Sequence, residues 1–174
     1  MIPTAVITQI GLAELTAAHQ SGLSVALNEI AIGNGSWATR ADSSAVALQG
    51  EVARFGIDEW QQVGGDTLKL GASLTSGDEW TVTEVGVFSA TNTLFAIWER
   101  GNPPLLFKSA QVSDLVLTLN LSVAGLPAES ITINDTGSNL TLIIDTALLA
   151  INTNQTQQAA DILNHSRRLQ LAGF

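Results

Sequence analysis

The clearest alternation of apolar and polar positions lies between Val112 and Val123. Leucine or valine occupies every second position of this segment, at Leu115, Leu117, Leu119, Leu121 and Val123. Most of the positions between them are polar. A period of two places successive side chains on opposite faces of a strand, so this segment predicts a β-strand with one buried and one exposed face.

Other segments have the period or the turn residues of regular elements. A helical period predicts a short helix over Thr8–Gln20, with Thr8 as N-cap and an end near Gly22. Strands are predicted over Leu23–Ile32, Glu51–Val63, Thr67–Leu74, the two arms of a hairpin within Glu79–Trp98, and Ser130–Asn134. The pattern therefore predicts an α+β domain, in which a short N-terminal helix precedes an antiparallel β-meander that ends near Asp135.

The remaining part of the chain, residues 136–174, has a period of seven. Its predicted core positions are Ile144, Leu148, Ile151, Gln155, Gln158, Ile162, His165 and Leu169. This heptad pattern predicts a coiled coil, and a helix over 139–171 would be about 50 Å long at 1.5 Å per residue. Much of that helix needs partners from other chains. The period does not separate two chains from three, and a single helix folded back on the β-domain is the alternative.

Composition predicts a folded chain with a sparsely charged surface. The 174 residues are 45% apolar and only 13% charged, which is half the average of about 25% for globular domains. We expect subunit contacts to cover part of this surface. The net charge of −9 disfavours nucleic acid and anionic bilayers, and no stretch reaches the roughly 20 apolar residues of a membrane span. No secretory signal precedes the helix, so synthesis in the cytoplasm is expected.

The sequence contains little catalytic or metal-binding chemistry. It has no cysteine, and its two histidines, His19 and His165, are too few for a zinc site. Asp78, Glu79 and Glu84 are close in sequence, but acidic residues at a hairpin are expected to face water and not to form a glycosidase pair. Nucleophile elbows, phosphate loops and dinucleotide motifs are missing. We expect no enzyme activity, no cofactor and no metal.

The polar segment 36–44 carries an aromatic residue and a cation, Trp37 and Arg40. Loops that combine these residue types are frequent docking surfaces, so both residues are candidates for contact with a partner protein. The alternative for Trp37 is an indole that packs against its own domain.

Several segments of residues 5–134, in the same order, resemble the phage tail-collar fibre protein family. They are the helix Ile7–Leu15, the strand and glycine turn Leu27–Gly35, the Glu-Val-Ala-Arg element at Glu51–Arg54, the hairpin Thr-Val-Thr-Glu-Val-Gly-Val-Phe at Thr81–Phe88 followed by Thr-Leu-Phe-Ala, and Lys108 after a proline-containing loop. The resemblance implies a structural role in the virion tail. It implies an N-terminal domain that fastens a homotrimeric fibre to the baseplate wedge or other tail proteins of a contractile particle, made in the host bacterial cytoplasm.

The resemblance also implies that the helical segment forms a trimeric coiled coil. Because the chain stops at Phe174, host recognition is expected in another protein. We expect the distal end either to receive a second fibre protein or to form a short plug, with Leu169, Leu171 and Phe174 at the joint. Two other functions stay open. One is a small carbohydrate-binding β-module in host adsorption, with Trp37, Trp60, Trp80 and Trp98 stacking on sugars, and the last-ranked is an enzyme on surface polysaccharide.

Overall fold

A computed structural model describes residues 5–37, 43–100, 103–111, 114–127 and 129–137. The elements in these ranges are β1 (Val6–Ile7), α1 (Gln9–Gln20), β2 (Val25–Gly33), β3 (Glu51–Gly56), β4 (Glu59–Val63), β5 (Thr67–Thr75), β6 (Trp80–Val82), β7 (Glu84–Ser89), β8 (Leu94–Glu99), β9 (Leu106–Lys108), β10 (Asp114–Ser122) and β11 (Ile131–Ile133).

The chain divides into two compact units, Met1–Ser138 and Asn139–Phe174. The second unit lies outside the described residues, and with it the predicted heptad helix, all eight trimer-interface positions and the predicted distal joint. The coiled coil, the trimer and a domain boundary near Asp135 therefore remain predictions.

The helix begins and ends as its sequence predicts. Thr8 has an extended backbone, and its hydroxyl accepts a hydrogen bond from the backbone N–H of Gly11 at 2.9 Å. Gly22 follows the last turn in the left-handed conformation, with φ at 70°. Gly11 brings the helix directly onto β8, because a Cβ atom there would lie 2.8 Å from the backbone of Phe95. The N-cap at Thr8 is confirmed.

The strands form three sheets. The largest has the order β1-β8-β7-β2-β11, and β3 also pairs with β2. Its pairs are antiparallel except that β11 runs parallel to β2. A second sheet has the antiparallel order β10-β5-β4, and β6 and β9 form a separate two-stranded sheet. The domain is thus mostly antiparallel β-structure with one short helix, which is compatible with the predicted α+β class.

Two details of the predicted meander are wrong. The run Glu51–Val63 is not one strand, because it breaks at Ile57 and Asp58 into β3 of the large sheet and β4 of the second sheet. The last strand does not continue the meander, because β11 returns to pair in parallel with β2. The hairpin is confirmed, but its first arm begins at Glu84, since β6 pairs with β9.

The main core lies between the helix, one face of the large sheet and one face of the second sheet. It includes Leu15 from α1, Ile30 from β2 and Val87 from β7. From β10 it includes Leu117, Leu119 and Leu121, which confirms the period of two. A smaller cluster contains Ala31, Phe88, Leu94 and Ile97 of the large sheet together with Ala45 and Leu48 of the loop after β2, so that loop packs on the sheet.

Candidate functional site

The predicted docking loop follows β2 and is held by one buried carboxylate, Glu84. This side chain is fully buried at the start of β7. Its Oε1 accepts hydrogen bonds from the backbone N–H of Gly50 at 2.7 Å and of Gly35 at 3.2 Å. Its Oε2 accepts from the indole N–H of Trp37 at 2.6 Å and from the backbone N–H of Gln49 at 3.1 Å. Glu84 therefore fastens both ends of the loop to the large sheet.

The glycines of this loop leave space for the carboxylate. A Cβ atom at Gly33 would overlap Glu84 Oε1, and one at Gly35 would lie 2.5 Å from the same atom. Thr83 adds two hydrogen bonds to the same segment. Its backbone N–H donates to the carbonyl of Gly33 at 2.9 Å, and its hydroxyl donates to the carbonyl of Gly35 at 2.7 Å. The expectation that Glu84 faces water is wrong, because four N–H groups replace its hydration.

The two predicted docking residues are not brought together by described contacts. Trp37 is half-buried, packs beside the smaller core cluster and donates its indole N–H to Glu84. This supports the alternative of an indole that packs against its own domain, although part of the ring remains at the surface. Arg40 lies outside the described residues, so its contribution to docking remains a prediction.

In the Glu-Val-Ala-Arg element, Glu51–Arg54, the arginine side chain makes polar contacts with three other side chains. The guanidinium of Arg54 donates to both carboxylate oxygens of Glu51, at 2.9 and 2.8 Å, and to Glu29 at 3.3 Å. It also donates to the side-chain oxygen of Asn92 and lies 3.8 Å from the ring centroid of Phe88. The hydrogen bonds that Arg54 donates to Glu51 are the main cause of its raised pKa. The element therefore ties β3 to β2 and to the tip of the hairpin.

Lys108 is a fully buried cation, with 1% of its surface exposed. Its ammonium donates to the backbone carbonyls of Ser76 and Asp78, at 2.5 and 2.8 Å, and lies 4.9 Å from the ring centroid of Trp80. Trp80 in turn packs edge-on against Phe55, with ring centroids 5.9 Å apart. Through these two hydrogen bonds, Lys108 of β9 holds the loop that precedes β6 in place.

Hydrogen bonds of Thr136 hold the last described segment of the chain in place. The hydroxyl of Thr136 donates to Asp58 Oδ1 at 2.7 Å, and its backbone N–H donates to the carbonyl of Ile57 at 2.7 Å. Asp58 is itself buried and accepts from the backbone N–H and the hydroxyl of Ser73, both at 2.6 Å. The segment that leads into residues 138–174 is therefore anchored where β3 and β4 separate.

An uncharged face of α1 is exposed beside the docking loop. It is lined by Gln9, Leu12, Ala13, Thr16, Ala17 and Gln20. Leu12 is 45% exposed and is the large apolar side chain of this face. The backbone N–H of Gln9 donates to the carbonyl of Ser43 at 2.6 Å, so the loop lies next to the start of this helix. We call these six residues the helix face.

A family model gives the decisive comparison. The model of the N-terminal domain of phage tail-collar fibre proteins matches residues 3–153. The chain belongs to the phage tail-collar fibre protein family. Searches among curated proteins and solved structures gave no significant match. Membership makes this chain a structural component of a phage tail fibre, with a place in the virion tail and association with other tail components.

The described part of this tail-collar domain offers no prepared metal site. Residues 5–37, 43–100, 103–111, 114–127 and 129–137 contain no group of three or more histidines or carboxylates that could hold a metal ion. Within the same ranges, no helix is long and apolar enough to cross a bilayer.

Three of the four tryptophans proposed for sugar stacking have contacts within the domain. Trp98 is 4% exposed in the main core, Trp80 contacts Phe55 and Lys108, and Trp37 binds Glu84. Only Trp60, on the outer strand of the second sheet, is largely open to solvent, at 44%. Stacking by a set of four tryptophans therefore has little support.

Proposed function

We propose that this chain is a trimeric tail-fibre attachment protein that docks on the tail baseplate through its N-terminal domain. The carrying observation is the family match over residues 3–153. The heptad positions of residues 139–171 support association with other chains through a coiled coil, the choice of three chains follows from the family, and the low charge content supports a surface covered by other subunits.

The helix face and the loop with Trp37 and Arg40 are the proposed baseplate contact. The face is uncharged and carries the exposed side chain of Leu12, a combination that suits the dry centre of an interface. The two ends of the loop beside it, at Gly35–Trp37 and Gln49–Gly50, are held by Glu84, so docking would require little ordering of the backbone at these ends. Three copies carry three times the net charge of −9, so the baseplate seat is expected to present lysine or arginine near the acidic residues.

The helical segment is proposed to form the stalk. The contacts of Thr136 with Ile57 and Asp58 hold the last described segment of the domain, which precedes the helical segment in the chain. Leu169, Leu171 and Phe174 would then offer an apolar joint for a second, distal fibre component that contacts the host.

The absolute mass in solution tests the trimer. Light scattering should give three copies for the full chain and one copy for a version that ends at Gly137, which retains the anchoring residue Thr136. A circular dichroism spectrum of the shorter version, with the β-signal of the full chain, is the control for folding. One copy for both proteins would contradict the trimeric stalk and favour a helix folded back on the domain.

Incorporation into tails tests the docking surface. A charged side chain in a dry interface is costly, so Leu12→Glu on the helix face should reduce the amount of this protein in purified tails about tenfold or more. Leu23→Glu is the matched control, because Leu23 is 67% exposed outside the helix face. Equal incorporation of both variants, at the wild-type level, would show that the helix face is not the docking surface.

A further inference from the structure

A groove separates the edge strand β4 from the chain segment that includes β11. Its volume is about 620 Å³, within the range of about 300–1,000 Å³ found for small-molecule sites. Trp60 and Gln62 of β4 and Asp66 of the following turn line one side. Leu126, Glu129 and Thr132 line the other. The residues proposed above for attachment do not line the groove.

Trp60 is exposed here because of its register. It lies opposite Leu70, and Gln62 lies opposite Leu68, so both point to the face of the second sheet that is buried further along. Because β4 is the outer strand, this face extends past the core at Trp60, which leaves the indole 44% exposed at the groove. An indole presented in this way offers a flat apolar surface beside polar groups.

The charged groups that line the groove are two carboxylates, those of Asp66 and Glu129. The side chains of Asp66 and Glu129 are exposed and have no hydrogen-bond or ion-pair partner in the described part of the chain. The amide N–H of Gln62 donates to the carbonyl of Gly65, which leaves its side-chain oxygen as a further acceptor. No lysine or arginine lines the groove among the described residues. An anionic ligand is therefore disfavoured, and a ligand with several hydroxyl donors is favoured.

We propose that this groove binds a neutral oligosaccharide. A sugar ring has an apolar C–H face that can stack on Trp60, and its hydroxyl groups can donate to the carboxylates of Asp66 and Glu129. Aromatic stacking with a few well-placed polar groups is the general chemistry of such ligand sites. Binding at this groove requires neither the trimer nor the baseplate, so it stands or falls separately from the attachment function.

Titration of the full chain with defined glycans tests the proposal. The probes are neutral hexasaccharides of glucose, galactose, mannose and rhamnose, with polysialic acid and polygalacturonate as anionic probes, measured by isothermal titration calorimetry. At least one neutral probe should bind with a Kd in the millimolar range or tighter. Trp60→Ala should weaken that binding about tenfold or more, and Trp60→Phe should restore most of it. Asp66→Asn and Glu129→Gln should each weaken it by about threefold or more.

Gln61→Ala is the matched control, because Gln61 is exposed on the same strand and does not line the groove. Its binding should remain within about twofold of wild type. The proposal is wrong if no neutral probe binds at about 10 mM, if only the anionic probes bind, or if Trp60→Ala leaves binding unchanged. Protection of Trp60 from oxidative labelling in the free full chain would also overturn it, because protein atoms would then fill the groove.

Discussion

The strongest prediction concerns the conversion of Glu84 to glutamine. The carboxylate offers only acceptors, and the four N–H donors of Gly35, Trp37, Gln49 and Gly50 require them. A glutamine of the same shape has one acceptor oxygen and one NH₂ group, so whichever way the amide turns, two of the donors face another donor.

The expected cost follows from these contacts. A hydrogen bond to a charged group contributes about 1.5–3 kcal/mol, so the loss of two gives about 3–6 kcal/mol. Removing the cost of burying a charge offsets part of this, and we expect a net loss of about 3 kcal/mol. Native domains have about 5–15 kcal/mol of stability in total, so the variant should unfold at a much lower denaturant concentration.

The assay is equilibrium urea unfolding of the chain that ends at Gly137, followed by tryptophan fluorescence and circular dichroism. Glu79→Gln is the matched control, because Glu79 is exposed, lies close in the chain and undergoes the same change of charge. It should alter the free energy of unfolding by no more than about 0.5 kcal/mol. Hydrogen exchange adds a local readout, since the amides of Gly35, Gln49 and Gly50 should lose protection. A Glu84→Gln variant as stable as the Glu79→Gln variant would refute the reasoning.

Three further substitutions test the other contacts in the same unfolding assay. Gly35→Ala forces a Cβ atom against Glu84 and should cost about 1–3 kcal/mol, whereas Gly65→Ala, which has open space, should change stability by no more than about 1 kcal/mol; equal effects would contradict the steric argument. Lys108→Met removes two hydrogen bonds to carbonyls and should cost about 2 kcal/mol, and the exposed Lys69→Met should be nearly neutral; a neutral Lys108→Met would show that the ammonium is dispensable. Arg54→Lys keeps the charge but loses the planar fork and the stacking on Phe88, so it should cost about 1 kcal/mol with little dependence on salt, and an unchanged free energy of unfolding would show that a point charge is sufficient.

The elements with a strong local signal were predictable from sequence. Thr8 is the cap that its position suggests, and β10 buries the leucines that its period of two places on one face. The break of the Glu51–Val63 run was missed because period alone does not identify the neighbouring strand. The residue that marks the break is Asp58. Its buried carboxylate accepts hydrogen bonds from Ser73 and Thr136, and this arrangement differs from that of a regular half-buried strand.

The parallel pairing of β11 and the burial of Glu84 could not be predicted locally. A three-residue strand contains no information about its partner, which lies more than one hundred positions earlier in β2. The donors to Glu84 come from residues 34–49 positions away, so the carboxylate is compatible with burial only after the loop has closed on the sheet. One signal for the burial of Glu84 was available in the sequence. Side chains alternate between the two faces of a strand, and Glu84 lies two positions after Val82 and two positions before Gly86, which are both buried.

Several residues of the segments that carry the family resemblance make these contacts, among them Gly33, Arg54 and Glu84, and there is a physical reason that they are hard to replace. Apolar core positions can exchange Leu, Ile or Val at small cost as long as volume is kept. A buried carboxylate with four donors, a guanidinium between two carboxylates and an aromatic ring, or a glycine facing a side-chain oxygen has no equivalent replacement. Such positions hold a loop, a strand and a hairpin in fixed relation, so the surface offered to a partner is set by residues that the partner does not need to touch. The Glu84→Gln and Arg54→Lys variants therefore test the same idea at two places: if docking depends on a preformed surface, each should reduce incorporation into tails in proportion to its local loss of order, although neither side chain lies in the helix face.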